Sequence, residues 1–325
     1  MRYLKKIFIV LLIGIGLIVF RMLAFEFFQV KQFSMEETYS DGSIVVVNKL
    51  AYGIRFPMRI GDIPFAEAVA FMFGKADRIH DISWEYRRIP GFAGIKQGDV
   101  VVFDHPAPWS REKLVKRCVA LPGDTIAIIN NRRYVGGKEE AEPFSVKFSY
   151  CVYTHEKELL EDSLNQYGIV ARDHLWQSNG AHHYAMTSGT AKAFRNCTLV
   201  DSVVMDNFQI GAPGPQLFPH NRQYTRENYG PLLVPAKGMT VSLDSSNVIL
   251  YKDVITRYEG NTLEVENDKI LINGKASKNY TFHLDYFFLV GDNRYHSMDS
   301  RYWGFVPEFS IIGKVGPVIY TGRRN

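Results

Sequence analysis

The longest apolar block comes first. Ile7 to Phe20 contains no polar side chain, follows Arg2, Lys5 and Lys6, and continues after Arg21 as Met22-Leu23-Ala24-Phe25. A membrane-spanning helix needs roughly 20 predominantly apolar residues, a length this block reaches when Arg21 and Glu26 sit at the far interface. The basic flank predicts a cytoplasmic N-terminus and a body on the outer face of the cell (inner) membrane. A cleavable leader would carry a small-x-small site after its core. The residues here are bulky, Phe25-Glu26-Phe27-Phe28-Gln29, so 1–28 is expected to remain as a single-pass anchor.

Beyond the anchor the pattern shortens to β-branched runs. Ser43-Ile44-Val45-Val46-Val47-Asn48 and Asp99-Val100-Val101-Val102-Phe103 are bounded by glycine and predict buried strands. Pro64 to Phe73 reads as helical and strongly apolar, a core helix or, as favoured by the nearby anchor, one resting on lipid. An internal echo follows. Gly123 to Asn131 with Tyr134-Val135-Gly136-Gly137-Lys138 matches Gly260 to Asp268 with Leu271-Ile272-Asn273-Gly274-Lys275. Each predicts two short strands joined at Asn-Asn or Asn-Asp and closed by a second turn. The stretch between the echoes, 140–235, has Asn-, His- and Tyr-rich segments and the breaker Gly211-Ala212-Pro213-Gly214-Pro215. It is expected to form an inserted lobe dividing a catalytic core into 29–139 and 236–325.

Composition adds limits. The 325 residues are 46% hydrophobic and 14% aromatic, enough for a sizeable core. A net charge of +4, spread along the chain, gives nucleic-acid binding no support and suits an anionic lipid surface better. Cys118, Cys151 and Cys197 leave an odd count: a Cys151–Cys197 bridge and three free thiols are both open. The nine histidines show no metal-ligand spacing. His182 and His183 are adjacent, cannot both face one ion from a strand, and are expected at the surface.

The candidate chemistry lies in separated boxes. Ser34-Met35 stands just past the anchor; Gly98-Asp99-Val100-Val101, Lys116-Arg117-Cys118-Val119-Ala120 and Pro122-Gly123-Asp124 follow; Gly291-Asp292-Asn293-Arg294 with Ser297, Asp299-Ser300-Arg301 and Trp303-Gly304 closes the series. A serine hydroxyl needs a neighbour to take its proton, and lysine can do so only when neutral. A free lysine titrates near 10.4, and burial lowers that. Lys116 therefore requires a dry pocket, with which Val115 and Val119-Ala120-Leu121 are consistent.

In order and spacing these boxes resemble the bacterial type I signal peptidases, over the whole chain except the insertion. The resemblance implies a mainly β, signal-peptidase-like catalytic fold and a Ser-Lys form of acyl transfer that needs no cofactor. Ser34 would be the nucleophile and Lys116 the general base. Ser297 would hydrogen-bond the lysine amine, while Asp299 and Arg301 would pair and brace the loop. Signal peptides of exported preproteins would be the substrate, bound extended by strand addition with small residues near the cut. The lipid bilayer and the secretion translocon would be further partners.

This sequence departs from the family pattern in places. Gln32 stands where a serine usually helps hold the oxyanion and would substitute its side-chain amide by bending back toward Ser34; Glu37 stands where Ser-Met-x-Pro-Thr has proline, although Thr38 is kept. Loss of an oxyanion donor costs on the order of a hundredfold in rate. Loss of proline leaves the turn less preorganised. Tyr295-His296 also replaces a more usual polar pair. The alternative is a catalytically impaired relative that binds or scaffolds exported chains at the membrane. A self-cleaving Ser-Lys repressor is weaker still, since no DNA-binding half is present.

Overall fold

The computed structural model describes residues 2–60, 63, 66–74, 84–107, 110, 112–155, 161–267 and 269–322. Pro64 and Phe65 of the apolar segment, and Asp268 of the second echo, lie outside the described residues. Helix α1 spans Arg2–Ala24 and helix α2 spans Ala66–Met72. Strands β1 (Phe25–Gln29), β2 (Ile44–Asn48), β3 (Val100–Asp104) and β4 (Lys113–Ala120) come next. Then follow β5 (Thr125–Ile129), β6 (Arg132–Val135), β7 (Lys138–Glu140), β8 (Lys147–Thr154), β9 (His174–Ser178), β10 (Ala181–Thr187) and β11 (Val200–Met205). The last third holds β12 (Tyr229–Leu233), β13 (Thr240–Ser242), β14 (Leu263–Glu266), β15 (Lys269–Ile272) and β16 (Lys275–Ala276). It ends with β17 (Asn279–Thr281), β18 (Tyr286–Val290), β19 (Val306–Pro307) and β20 (Ile311–Tyr320).

The molecule is mainly β. A seven-stranded sheet, in the order β1-β2-β20-β3-β4-β18-β19, carries the functional boxes. Its pairs are antiparallel throughout. Val100, Val101, Val102 and Phe103 are all buried, so β3 is covered on both faces and reads as a continuous apolar run rather than an alternating one.

The expected turns that fall wholly on described residues are formed. Asn130 and Asn131, at φ of +53° and +64°, join β5 to β6, and Gly136-Gly137, at +58° and +81°, join β6 to β7. Asn273 and Gly274 repeat this between β15 and β16. Paired positive φ values match the right-handed twist of the flanking strands, which is why asparagine and glycine stand there. Each echo gains a third strand past its second turn.

Between the echoes, β8 to β11 form a separate four-stranded sheet in the order β11-β8-β10-β9. Tyr150, Val152, Tyr184, Met186, Phe194 and Val203 give it its own core. β12, further along, pairs instead with β5.

The histidine pair is not at the surface. β10 is buried at every position from Ala181 to Met186, on both faces of its sheet, and His182 and His183 are buried with it. They alternate to opposite faces: His182 meets His174 and Tyr184, while His183 stacks on Trp176. All three cysteines are free.

Among the described residues no helix is long and apolar enough to cross a membrane. The side chains of Ile15, Leu17, Ile18, Val19, Arg21 and Met22 in the apolar block lie outside that description. In α2 and just after it, Phe71, Met72 and Phe73 are more than two-thirds exposed. That excludes a core position for this end of the segment.

Candidate active site

Ser34 sits in a tight turn entered from β1 and closed on itself. The Glu36 N–H donates to the Phe33 carbonyl at 3.1 Å, and the Tyr39 N–H to the Met35 carbonyl at 2.7 Å. Met35 is fully buried among Val45, Val47, Val102 and Ile312 and pins the turn to the large sheet. Glu37 lies at φ +70°, a left-handed conformation costing a residue with Cβ about 1–2 kcal/mol. Proline cannot adopt it. The family's proline is therefore incompatible with the shape this turn takes.

Lys116 lies mid-strand on β4, opposite Val101 of β3. On the other side β18 pairs Val290 with Arg117, which puts Gly291 beside the lysine. A Cβ on Gly291 would stand 2.2 Å from Ser297 Oγ and 2.6 Å from the Ser34 carbonyl oxygen. Only glycine lets these three segments converge. Strand alternation sends Val115 to the opposite face, into the cluster around Met35. Of the sequence neighbours expected to keep the amine dry, Val115 therefore faces away from it.

The Lys116 Nζ and the Ser34 Oγ are 2.6 Å apart, and both residues are buried. Burial is the main cause that brings the ammonium down to a pKa of about 8, with Asp299 opposing and Arg301 assisting the shift. A charge is costly in a low-dielectric site, so burial shifts the amine toward its neutral form.

The loop after β18 closes the site. Asp299 and Arg301 pair bidentately, at 2.9 Å to Nε and 2.8 Å to Nη2, with neither side chain reaching solvent. Burial alone would raise the Asp299 carboxyl, but the Arg301 charge, its hydrogen bonds and the Gly291 N–H together outweigh it and hold the group low. Arg301 also donates to the Arg294 carbonyl at 2.7 Å. Asp292 accepts from Arg117 Nε at 2.8 Å and from the Thr38 hydroxyl. The Asn293 N–H donates to the Ser34 carbonyl at 3.0 Å.

Two expected placements differ. Ser297 lies against Gly291, and its buried hydroxyl has no hydrogen-bond partner among the described residues. It is near enough to Asp299 to help hold that carboxyl low, but it does not bond the lysine amine. The Gln32 side chain is exposed, and its φ of +71° goes with a backbone N–H that donates to Asp41 Oδ1 at 2.8 Å. That bond fixes the backbone of residue 32 rather than its amide. The Ser34 N–H finds no acceptor among the described residues.

Sequence reasoning missed the partners of the turn. Glu36 is buried against Lys147 and Arg172, both from the region between the echoes. Two consecutive glutamates behind a buried Ser-Met were the signal that cations must come from elsewhere.

Among the described residues, Cys151, His183 and Asp206 bring possible metal ligands within 4.8 Å of one another. The Asp206 carboxylate is already engaged by His183 Nδ1 at 2.8 Å and by the Ser149 hydroxyl. Burial keeps the Cys151 thiol above its usual pKa and so protonated. Hydrogen bonding accounts for the cluster.

A hydroxyl against a buried, readily neutral amine is the equipment of a serine hydrolase. Residues 1–180 and 280–320 match the family model described as signal peptidase, peptidase S26. The chain belongs to that family and is a serine endopeptidase. It is 23% identical over 292 residues to signal peptidase I of Buchnera aphidicola subsp. Baizongia pistaciae, covering 89% of this chain and 68% of that one. With signal peptidase I of Pseudomonas aeruginosa it shares 28% identity over 195 residues, 57% of this chain and 58% of that relative. The crystal structure of a signal peptidase I from Enterococcus faecalis matches 69% of this chain and 97% of its own at 16% identity, with a TM-score of 0.26, too loose to speak to the fold.

Proposed function

We propose that this chain is a membrane-anchored endopeptidase that removes signal peptides from exported preproteins, with Ser34 as nucleophile and Lys116 as general base. The observation that carries the reading is the 2.6 Å approach of the Ser34 hydroxyl to a buried amine whose pKa is lowered to about 8. Neutral Lys116 takes the Ser34 proton as the oxygen attacks the scissile carbonyl. The ammonium so formed donates that proton to the leaving amine, and water then releases the acyl group by the same base. The Ser34 N–H is the backbone donor placed to meet the developing oxyanion. No step requires a cofactor.

Membrane attachment is part of the proposal. The 23 residues of α1 would extend about 34 Å at 1.5 Å each, against a hydrocarbon layer of about 30 Å. Ile7 to Ile13 are seven successive apolar residues, each at least half exposed. Seven consecutive positions point in every direction around a helix, as a lipid-surrounded helix requires. β1 begins directly after α1, which would hold Ser34 near the membrane surface where a signal peptide's apolar core ends. The exposed Phe71, Met72 and Phe73 are suited to rest on the same surface. The division into an anchor at 1–28, a split core and a lobe at 140–235 belongs to this reading.

The test is cleavage of a preprotein by the full chain in detergent. Wild type should process it, and Ser34→Ala and Lys116→Ala should not. Processing by Ser34→Ala at the wild-type rate would overturn the nucleophile assignment, whereas a wild type that binds the preprotein without cleaving it would favour a binding or scaffolding role.

A further inference from the structure

Glu36 and Glu37, which follow the Ser34-Met35 pair, are held by residues more than a hundred positions away. Glu36 accepts from Arg172 Nε at 2.9 Å and from Lys147 Nζ at 3.2 Å. The Lys147 ammonium also meets Asp173 Oδ1 at 2.5 Å and Glu37 Oε1 at 3.5 Å. The Lys147 main chain is bound too: its N–H donates to the Asp292 carbonyl at 2.9 Å, and its carbonyl accepts from the Arg294 N–H at 3.1 Å. The first residue of β8 therefore ties the Ser34 turn to the 291–294 loop. Arg172 reaches further, its guanidinium lying 4.5 Å from the centre of the Phe33 ring.

We propose that Lys147 and Arg172 are positioning residues for Ser34, and that the β8–β11 sheet thereby does the bracing that proline at position 37 cannot do here. The inference rests on Ser34 being the nucleophile. Glu36 and Asp173 are buried carboxylates, and such groups stay ionised only beside compensating cations. Their bonds are therefore directional constraints on the turn. A left-handed Glu37 has no ring to stiffen it, and Lys147 fixes it from outside. A hydroxyl 2.6 Å from its base tolerates little drift.

The experiment measures preprotein cleavage by full-length Arg172→Gln and Lys147→Met in detergent, beside Arg172→Lys, Ser34→Ala, Glu36→Gln and the double variant Glu36→Gln/Arg172→Gln. Arg172→Gln and Lys147→Met should lower kcat on the order of 10- to 100-fold. KM should stay within about twofold, because the contact is made to the nucleophile turn and not to substrate. Arg172→Lys should recover part of the loss. The double variant should be no slower than the slower single, since both changes remove one contact. If Lys147→Met does not fold, the partly exposed Arg172 decides the matter. Wild-type kcat in Arg172→Gln, a loss matching only a smaller folded fraction, or fully additive losses would each overturn the proposal. Inactive Ser34→Ala beside fully active Arg172→Gln removes this inference alone; active Ser34→Ala removes the parent reading.

Discussion

Asp299 and Arg301 are joined through two hydrogen bonds in the fully buried floor of the loop that faces Lys116. Removing one partner would leave the other charged and unsatisfied. Arg301→Met should therefore destabilise the fold by about 3–5 kcal/mol, read as a lowered denaturation midpoint. Because Asp299 holds its proton less tightly in the folded state, the stability it contributes is present above its unfolded pKa and lost as pH falls through the lower folded one. Acid unfolding of the wild type should show that loss, and Asp299→Asn should lack it.

Lys116 has the opposite effect. Its folded pKa of about 8 lies below the unfolded value of 10.5, so below pH 8 the folded protein carries a charge it disfavours. Stability should rise with pH between those two values. Lys116→Met should abolish cleavage yet unfold later than wild type at neutral pH, by on the order of 3 kcal/mol. Equal or lower stability in the methionine variant would contradict the burial argument.

Gly291 admits no side chain. Gly291→Ala would bring Cβ against Ser297 Oγ and the Ser34 carbonyl, forcing the Ser34 turn away from β4. Activity should fall on the order of a hundredfold, with about 1–3 kcal/mol of stability lost to the overlap.

Restoring the family's proline should harm this protein. Glu37 sits at φ +70°, whereas proline is fixed near −65°. Glu37→Pro should lower stability by more than about 1 kcal/mol and slow cleavage. A faster, more stable variant would mean that the turn prefers another shape.

Much of this was legible in the residues. Short β-branched runs gave β2 and β3, and Asn-Asn, Gly-Gly and Asn-Gly gave the turns, because local periodicity and positive φ leave marks in sequence. The Ser34 and Lys116 pair was legible through the order of its boxes. That Val115 turns away from Lys116 into the cluster around Met35 was not, since the packing of separate segments leaves no local mark. His183 looked exposed because nothing local reveals that both faces of β10 are packed against other residues. The Glu36–Arg172 contact spans 136 positions, and no periodic signal reports a single long-range ion pair.

The most direct measurement is the pH dependence of kcat/KM for preprotein cleavage by the full chain, which reports ionisations of the free enzyme. If neutral Lys116 takes the proton from Ser34, the rate should climb about tenfold per pH unit up to about 8 and level above it. A profile that stays flat through that range, or that rises only near the ordinary lysine pKa, would contradict a buried neutral base at position 116.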